Sequence, residues 1–388
     1  VSDADFELGD EELRAAGSVK WTYCPPDVLP AWVAEMDVRP CPAVLDAVRS
    51  AVERGTFGYP ALDRHSGIRE ATAAFLHRRF GWSVEAGSVL ACGDVMAGVR
   101  LVLETLCADA PVVVPTPTYP PFLDVVPISG RAVVQVPCTV GGPDGARPVL
   151  DLDGIEAALA AGARTVLLAH PHNPLGRVFD PAELAGLRDV VVRHGARVVS
   201  DEIHAPLVLP GAVHTPYSSL DGTAGHVTTI VAATKAWNVP GLKCAQIVAG
   251  SADDLATLTG VAHVANHGTS PLGVVASVAA YTAGEAWLDG VLDHLDTQRD
   301  LFGVLVGTYL PHARWRPMEA TYLAWVDARA YGLPDPAAAA LARGKVFVNP
   351  GRDFGTGYTG FVRVNLATSA SRLTEVVERL ATAWGTPV

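Results

Sequence analysis

Lysine is scarce in this chain: of 29 basic residues among 388, only Lys20, Lys235, Lys243 and Lys345 are lysines. Basic residues are also outnumbered. With 41 Asp and Glu the net charge is −12, which excludes the clustered positive surface that grips nucleic-acid phosphates. The six cysteines include no C-x-x-C pair, so neither a zinc site nor a disulfide framework is legible. That pattern suits a reducing cytoplasm. Asp3, Asp5, Glu7, Asp10, Glu11 and Glu12 crowd the start, so the expectation is no export signal there. The expectation is a soluble, cytoplasmic protein. One stretch, Leu255 to Gly284, has no Asp, Glu, Lys or Arg. His263, Asn266, His267 and the break Gly268-Thr269-Ser270-Pro271 interrupt it. It therefore predicts two buried helices rather than a membrane span.

Apolar residues are plentiful. At 49% hydrophobic and 18% charged, the chain has material for a large core, and its length suits two or three domains of about 150 residues. Short continuous apolar runs at Pro111–Val114, Thr165–Ala169, Ala196–Ser200 and Thr229–Ala232 read as strands buried on both faces. Helical periodicity between them, as at Leu184, Leu187, Val190 and Val191, predicts an α/β fold with a mostly parallel sheet between helices. After about residue 287 the pattern changes. Strands at Tyr322–Val326 and Phe361–Asn365, then a helix through Leu373, Val376, Val377 and Leu380, predict a smaller α+β domain. The expected division is an arm at 1–45, a large domain at 46–287 and a small domain at 288–388. Spatially, the arm should join the small domain.

In such sheets ligands collect at the carboxyl ends of the strands, and the unusual residues fall there. Lys235 follows the Thr229–Ala232 run; a lysine held in an apolar setting loses charge and becomes a Schiff-base nucleophile. A snorkelling surface lysine is the plain alternative. Asp201, in Ser200-Asp201-Glu202-Ile203-His204, stands where an acid meets a cofactor nitrogen. Equally, it could cap a helix with Glu202 in its first turn. Asn173 is flanked by Pro171 and Pro174 in what could be an ordinary turn. Tyr119 sits in Thr116-Pro117-Thr118-Tyr119-Pro120-Pro121, where a packed loop tyrosine is the plain reading. Gly355-Thr356-Gly357-Tyr358-Thr359-Gly360 spells a dinucleotide fingerprint, but a strand follows it, so it reads as a loop presenting Arg363. The histidines show no metal spacing.

Tyr119, Asn173, Asp201 and Lys235, in that order, resemble fold-type I pyridoxal-phosphate enzymes, the aspartate aminotransferase superfamily. Lys20-Trp21, Leu29-Pro30-Ala31-Trp32-Val33-Ala34-Glu35-Met36-Asp37, Phe57-Gly58-Tyr59-Pro60, Asp201-Glu202-Ile203-His204 and Asn238-Val239-Pro240-Gly241-Leu242-Lys243 narrow it to the cystathionine β-lyase branch, MalY/PatB. The resemblance runs from about residue 5 to residue 380. It implies the fold-type I transferase fold, with a seven-stranded sheet in the large domain, and pyridoxal 5′-phosphate as cofactor.

By the resemblance, Lys235 would hold the cofactor through a Schiff base and later carry the substrate Cα proton. Asp201 would pair with the ring nitrogen, Asn173 would donate to the ring hydroxyl, His204 would lie near that hydroxyl, and Tyr119 would stack on the ring. Val95 and Met96 would offer backbone N–H groups to the phosphate, with Thr234 and Lys243 beside them; Asp94 should point away. Tyr59 would reach the phosphate of a neighbouring subunit, which implies a homodimer with shared sites. Arg363 would grip the substrate α-carboxylate, with Asn173 and Tyr59 close to the substrate. The departures are Glu35 for aspartate, Ala232 for serine, His170 for asparagine and Ala236-Trp237 for Thr-Phe.

The implied activity is carbon–sulfur β-lyase cleavage of a cystathionine-like cysteine S-conjugate to thiol, pyruvate and ammonia. An aminotransferase or decarboxylating deaminase acting on the same conjugate is the nearer alternative. A cofactor-holding regulatory protein is the further one. A small amino acid is the expected partner; metal, membrane and nucleic acid are not.

Overall fold

The computed structural model describes residues 3–141, 147–265 and 268–385. Its centre is a seven-stranded sheet of β1 (Val89–Cys92), β2 (Val112–Thr116), β3 (Val133–Pro137), β4 (Thr165–Ala169), β5 (Arg197–Asp201), β6 (Val227–Val231) and β7 (Ala245–Ala249). The spatial order is β1-β7-β6-β5-β4-β2-β3. From β6 through β3 all neighbours are parallel, whereas β7 runs antiparallel to both β6 and β1. The fold is therefore the expected α/β arrangement with one reversed strand.

Continuous apolar runs are explained by two cores. Side chains alternate along a strand, so when both faces are covered an interior strand is apolar at most positions, with small hydroxyl residues such as Thr228 and Thr229 the exceptions. Val112, Val114, Leu167 and Ala169 pack with Val99 and Leu103 on one face. Val113, Val166 and Leu168 pack with Ile155, Leu159, Leu184 and Leu187 on the other. Register also aligns the carboxyl ends, with Ala169 opposite Asp201 and Asp201 opposite Ile230. Whatever follows β4, β5 and β6 emerges along one edge.

The uncharged segment forms two helices, Ala252–Ala265 and Pro271–Ala283, the second capped by Ser270. Asn266 and His267 lie outside the described residues. The second helix buries Val274, Ala276, Ser277 and Ala280, but the first does not match the expectation of burial. Over its described side chains, 252–261, it buries Asp254 and Leu258 and exposes Ala256, Thr257, Thr259 and Gly260, small residues that cost little in water. Among the described residues no helix is long and apolar enough to cross a membrane.

A second, antiparallel sheet takes β8 (Arg314–Trp315), β9 (Leu323–Asp327), β10 (Asn349–Pro350) and β11 (Phe361–Asn365) in the order β8-β9-β11-β10. The helix Ala370–Trp384 buries Leu373, Val376, Val377 and Leu380, the four residues its periodicity marks. The N-terminal segment is stitched to this region. Leu29–Pro30 pairs with Val346–Phe347, and Asn365 N donates to Ala31 O (2.9 Å).

Candidate active site

Beyond the aligned strand ends lies a cavity of about 160 Å³. Val95, Met96, Tyr119, Asn173, Asp201, His204, Thr234, Lys235 and Lys243 all line it. Their spacing over 149 residues of sequence collapses because each stands at or just beyond the same edge of the sheet: Lys243 just before the reversed β7, the others at or after the ends of the parallel strands. Arg363 is reached through Asn173, whose Oδ1 accepts from Nη1 at 3.0 Å. Tyr59 is the exception: it is 93% exposed and lines a separate depression of about 580 Å³ with Leu62, Asp63, Arg69 and Leu255.

Lys235 sits in a tight turn after β6, where Val239 N donates to Thr234 O (2.9 Å) and Trp237 N to Ala233 O (3.0 Å). Asn238, at φ +55°, clamps this turn to the N-terminal segment, accepting from Met36 N and donating to Met36 O at 2.9 and 2.8 Å. Asn365 ties the same segment down by donating to Val33 O and Glu35 O. So fixed, Ala34 O accepts from Lys235 Nζ at 2.8 Å. Burial lowers the Lys235 ammonium to about 8, against the pull of Glu35, so neutral amine is available near neutral pH.

Asp201 ends β5, its Oδ1 accepting from Ile203 N at 3.0 Å. No α-helix starts here. A 3-10 turn at Ala205–Leu207 follows, so the helix-cap alternative fails. Burial raises the carboxyl to about 7, leaving a group that ionises fully once it meets a cation. His204 is pushed to about 3 by burial and by Lys235, and its buried Nδ1 has no partner among the described residues.

Arg363 is buried, with Nη2 donating to Trp32 O (3.1 Å) and Asn349 Oδ1 (2.7 Å). Phe354 lies under it, 4.9 Å from ring centre to guanidinium carbon. Its Nε–H has no partner among the described residues, an unspent donor suited to a carboxylate. The Gly355, Gly357 and Gly360 loop, all at positive φ, leads into β11 and presents this arginine.

The helix Val95–Leu106 aims its first turn at the cavity, a ready anion site. Asp94 departs from the expectation that it points away. It lines the cavity, accepts from Ala97 N (2.8 Å) and pairs with Lys243 Nζ (2.8 Å). Burial opposes its ionisation, yet Lys243 and the helix amides outweigh burial and lower the carboxyl below its ordinary value. A capping carboxylate thus serves the helix and holds Lys243 in place. Asp94→Ala should cost about 1 kcal/mol in stability, read as a lower Tm.

Several groups carried no local signal. Glu202, read as a possible first-turn residue, is buried behind Asp201. It accepts from Ser200 Oγ (2.9 Å) and Tyr217 N (3.0 Å) and faces His214 Nε2 at 2.9 Å. Burial raises it to about 7 and lowers His214 to about 3. Lys20 and Asp37 form a buried pair at 2.9 Å, with Trp21 Nε1 donating to Asp37 Oδ1 (2.7 Å), and brace the segment that meets Lys235.

This donor set suits a planar aromatic cofactor with an aldehyde for Lys235, a basic nitrogen for Asp201 and a phosphate for the helix terminus. The family model Aminotransferase class I and II matches residues 33–380. The chain is 36% identical to cystathionine β-lyase of Corynebacterium glutamicum, over 96% of this chain and 98% of that one. It is 32% identical to cystathionine β-lyase PatB of Bacillus subtilis, over 96% and 98%. Among solved structures, the PLP-bound C–S lyase from Staphylococcus hominis superposes with a TM-score of 0.90 at 25% identity, covering 98% of each chain.

Proposed function

The chain belongs to the aminotransferase class I and II family, and on that premise we propose that it is a pyridoxal-phosphate-dependent carbon–sulfur β-lyase. It cleaves a cysteine S-conjugate to thiol, pyruvate and ammonia. The reading rests on one observation above all. The end-of-strand groups Lys235, Asp201 and Asn173 share a cavity, with Arg363 bonded to Asn173, in a chain whose relatives over nearly its full length include cystathionine β-lyases at 36% and 32% identity.

When bound, pyridoxal phosphate supplies an electron sink for the pair left at the substrate Cα. The chain's residues do the rest. Arg363 takes the α-carboxylate on its unspent donors and fixes Cα near Lys235. Lys235 Nζ, uncharged in a fraction of molecules at neutral pH, removes the Cα proton. The same nitrogen then returns that proton to the departing sulfur as the Cβ–S bond breaks and its electrons leave with the thiol. Asp201 would hold a proton on the ring nitrogen, Asn173 would orient the ring and Tyr119 would shield it from water. Val95 and Met96 N–H groups, with Thr234 and Lys243, would hold the phosphate. The released enamine hydrolyses to pyruvate and ammonia.

The test is product analysis on cystathionine and S-methylcysteine with no keto-acid acceptor. Pyruvate, ammonia and thiol over many turnovers support the lyase. At most one turnover of a sulfur-bearing keto acid overturns it in favour of an aminotransferase.

The working unit in this proposal is a homodimer. Tyr59 is 93% exposed, with Phe57 at 69% and Leu62 at 58% beside it, an apolar face that a second copy would cover. Tyr59 would then complete the neighbour's phosphate site. Mixing inactive Tyr59→Ala and Lys235→Ala subunits should give hybrids with one intact site, restoring about a quarter of wild-type activity at equal mixing. No restoration after demonstrated subunit exchange would overturn the shared site.

A further inference from the structure

The proposed mechanism leaves one buried acid unused. Glu202 directly follows Asp201, and alternation along β5 sends the two side chains to opposite faces of the sheet. Val199 packs in the core on the Asp201 side and Val198 in the core on the Glu202 side. Asp201 lines the cavity, whereas Glu202 lies behind it, buried, and meets three hydrogen-bonding groups. Ser200 Oγ donates to Oε1 at 2.9 Å, Tyr217 N donates to Oε1 at 3.0 Å, and His214 Nε2 stands 2.9 Å from Oε2. His214 in turn packs on His170, ring centres 4.5 Å apart, and His170 Nε2 meets Thr215 O at 3.0 Å. His170 N donates to Asp201 O (2.8 Å) and opens the turn that carries Asn173. The cluster therefore ties together the two loops whose side chains would meet the cofactor ring.

The surroundings of the two imidazoles fix where their protons sit. Nδ1 of His170 and Nδ1 of His214 are both buried with no partner among the described residues. A proton on either would be an unmatched buried donor, so each neutral ring carries its proton on Nε2. Burial pushes both rings to about 3, so neither adds a cation. His214 Nε2–H and Tyr217 N–H can then only donate, and such company favours a carboxylate over a carboxylic acid. Burial opposes that ionisation and lifts Glu202 to about 7, which leaves it mostly charged at pH 8. The charged groups facing the cluster are Asp201, whose carboxyl Glu202 helps to raise, and Arg177 near His170. Arg177 is already paired with Glu183 and Glu319. Among the described residues no Lys or Arg pairs with Glu202, so its charge is left to act on whatever cation Asp201 meets.

We propose that Glu202 is a positioning residue for the cofactor ring: a second carboxylate behind Asp201, held ionised by His214, whose field strengthens the hold of Asp201 on the ring-nitrogen proton. The proposal rests on the pyridoxal-phosphate part of the reading above and deepens it. The electron sink then depends on two acids, of which only Asp201 faces the ring. What the substrate carries on sulfur does not enter.

The test reconstitutes the full chain at pH 8 with pyridoxal phosphate or with its 1-deaza analogue, in which C–H replaces the ring nitrogen, and compares the two affinities. A structural fault weakens both alike, whereas a lost field weakens only the first. Glu202→Gln keeps the shape but not the charge, and should lower the preference for pyridoxal phosphate over the analogue by about tenfold. His214→Leu should do the same, because Glu202 without that donor takes up a proton. Adding His214→Leu to Glu202→Gln should change the preference no further. His214→Gln can still donate to Oε2 and should retain most of it. Should Glu202→Gln fail to fold, the two His214 variants carry the comparison. A preference unchanged in Glu202→Gln and His214→Leu, or a parallel fall for both ligands, overturns the positioning role. Wild type that binds neither ligand overturns the cofactor reading itself. Wild type that binds both yet releases no thiol overturns the lyase reading, and the preferences still judge Glu202.

Discussion

Lys235→Ala should lower thiol release by roughly 10⁴-fold or more, because one nitrogen both receives and returns the proton in the proposed cycle. The purified variant should also lack the visible absorption band of the Schiff base that wild type shows with pyridoxal phosphate. Stability separates this from misfolding. Among the described residues Lys235 Nζ has a single hydrogen bond, to Ala34 O, and burial works against its charge. Removing a poorly solvated ammonium costs the cofactor-free fold little, so its Tm should stay within roughly 3 °C of wild type. A small primary amine in the buffer should recover part of the lost rate, since the cavity left behind admits one. An unchanged band and undiminished turnover would sink the assignment of this lysine, and with it the proposed mechanism.

Asp201→Asn is the second large effect. The amide keeps the contact with Ile203 N–H, at 3.0 Å in wild type, but cannot hold a proton on a ring nitrogen. Losing one partner of a buried charge pair predicts a fall of about 10²–10⁴-fold in kcat/KM. The cofactor-free protein should respond in the opposite direction. Burial holds the Asp201 proton to about 7, against an ordinary 3.8. The folded state therefore binds this proton more tightly than the unfolded state. That favours folding fully below about pH 4 and is lost progressively as pH rises through about 7. At pH 8 the wild type carries the whole cost of a buried carboxylate, and Asp201→Asn does not. The cofactor-free variant should then be more stable than wild type at pH 8, with the difference shrinking towards pH 4. Thermal melts at pH 4.5, 6 and 8 measure it. A variant equally destabilised at every pH would mean Asp201 is a structural residue rather than a preformed cation partner.

Much of this was written locally. The apolar runs of β2, β4, β5 and β6 declare themselves because strands covered on both faces are mostly apolar, admitting only small hydroxyl residues such as Thr228, Thr229 and Ser200. Their carboxyl ends announced Tyr119, Asn173, Asp201 and Lys235, since a polar group placed right after such a run emerges at the sheet edge. The helix Ala370–Trp384 was equally legible from Leu373, Val376, Val377 and Leu380. Where local pattern failed, it failed for a reason. Apolar composition from Leu255 onward suggests burial, but composition alone does not say which face meets the sheet, and Ala256, Thr257, Thr259 and Gly260 are exposed.

Order along the chain thus determined the α/β architecture and which side chains stand at the strand ends, because hydrophobic period and covalent succession are local properties. Tertiary structure alone decided the pairings. Asp94 meets Lys243 across 149 residues, Glu202 finds His214 behind Asp201, and Asn238 grips Met36 across 202. Trp32 and Phe347 become neighbours only through the join of Leu29–Pro30 to Val346–Phe347. Hydrogen bonds and burial act between surfaces that folding brings together, and neither leaves a trace in the spacing of the residues that make them.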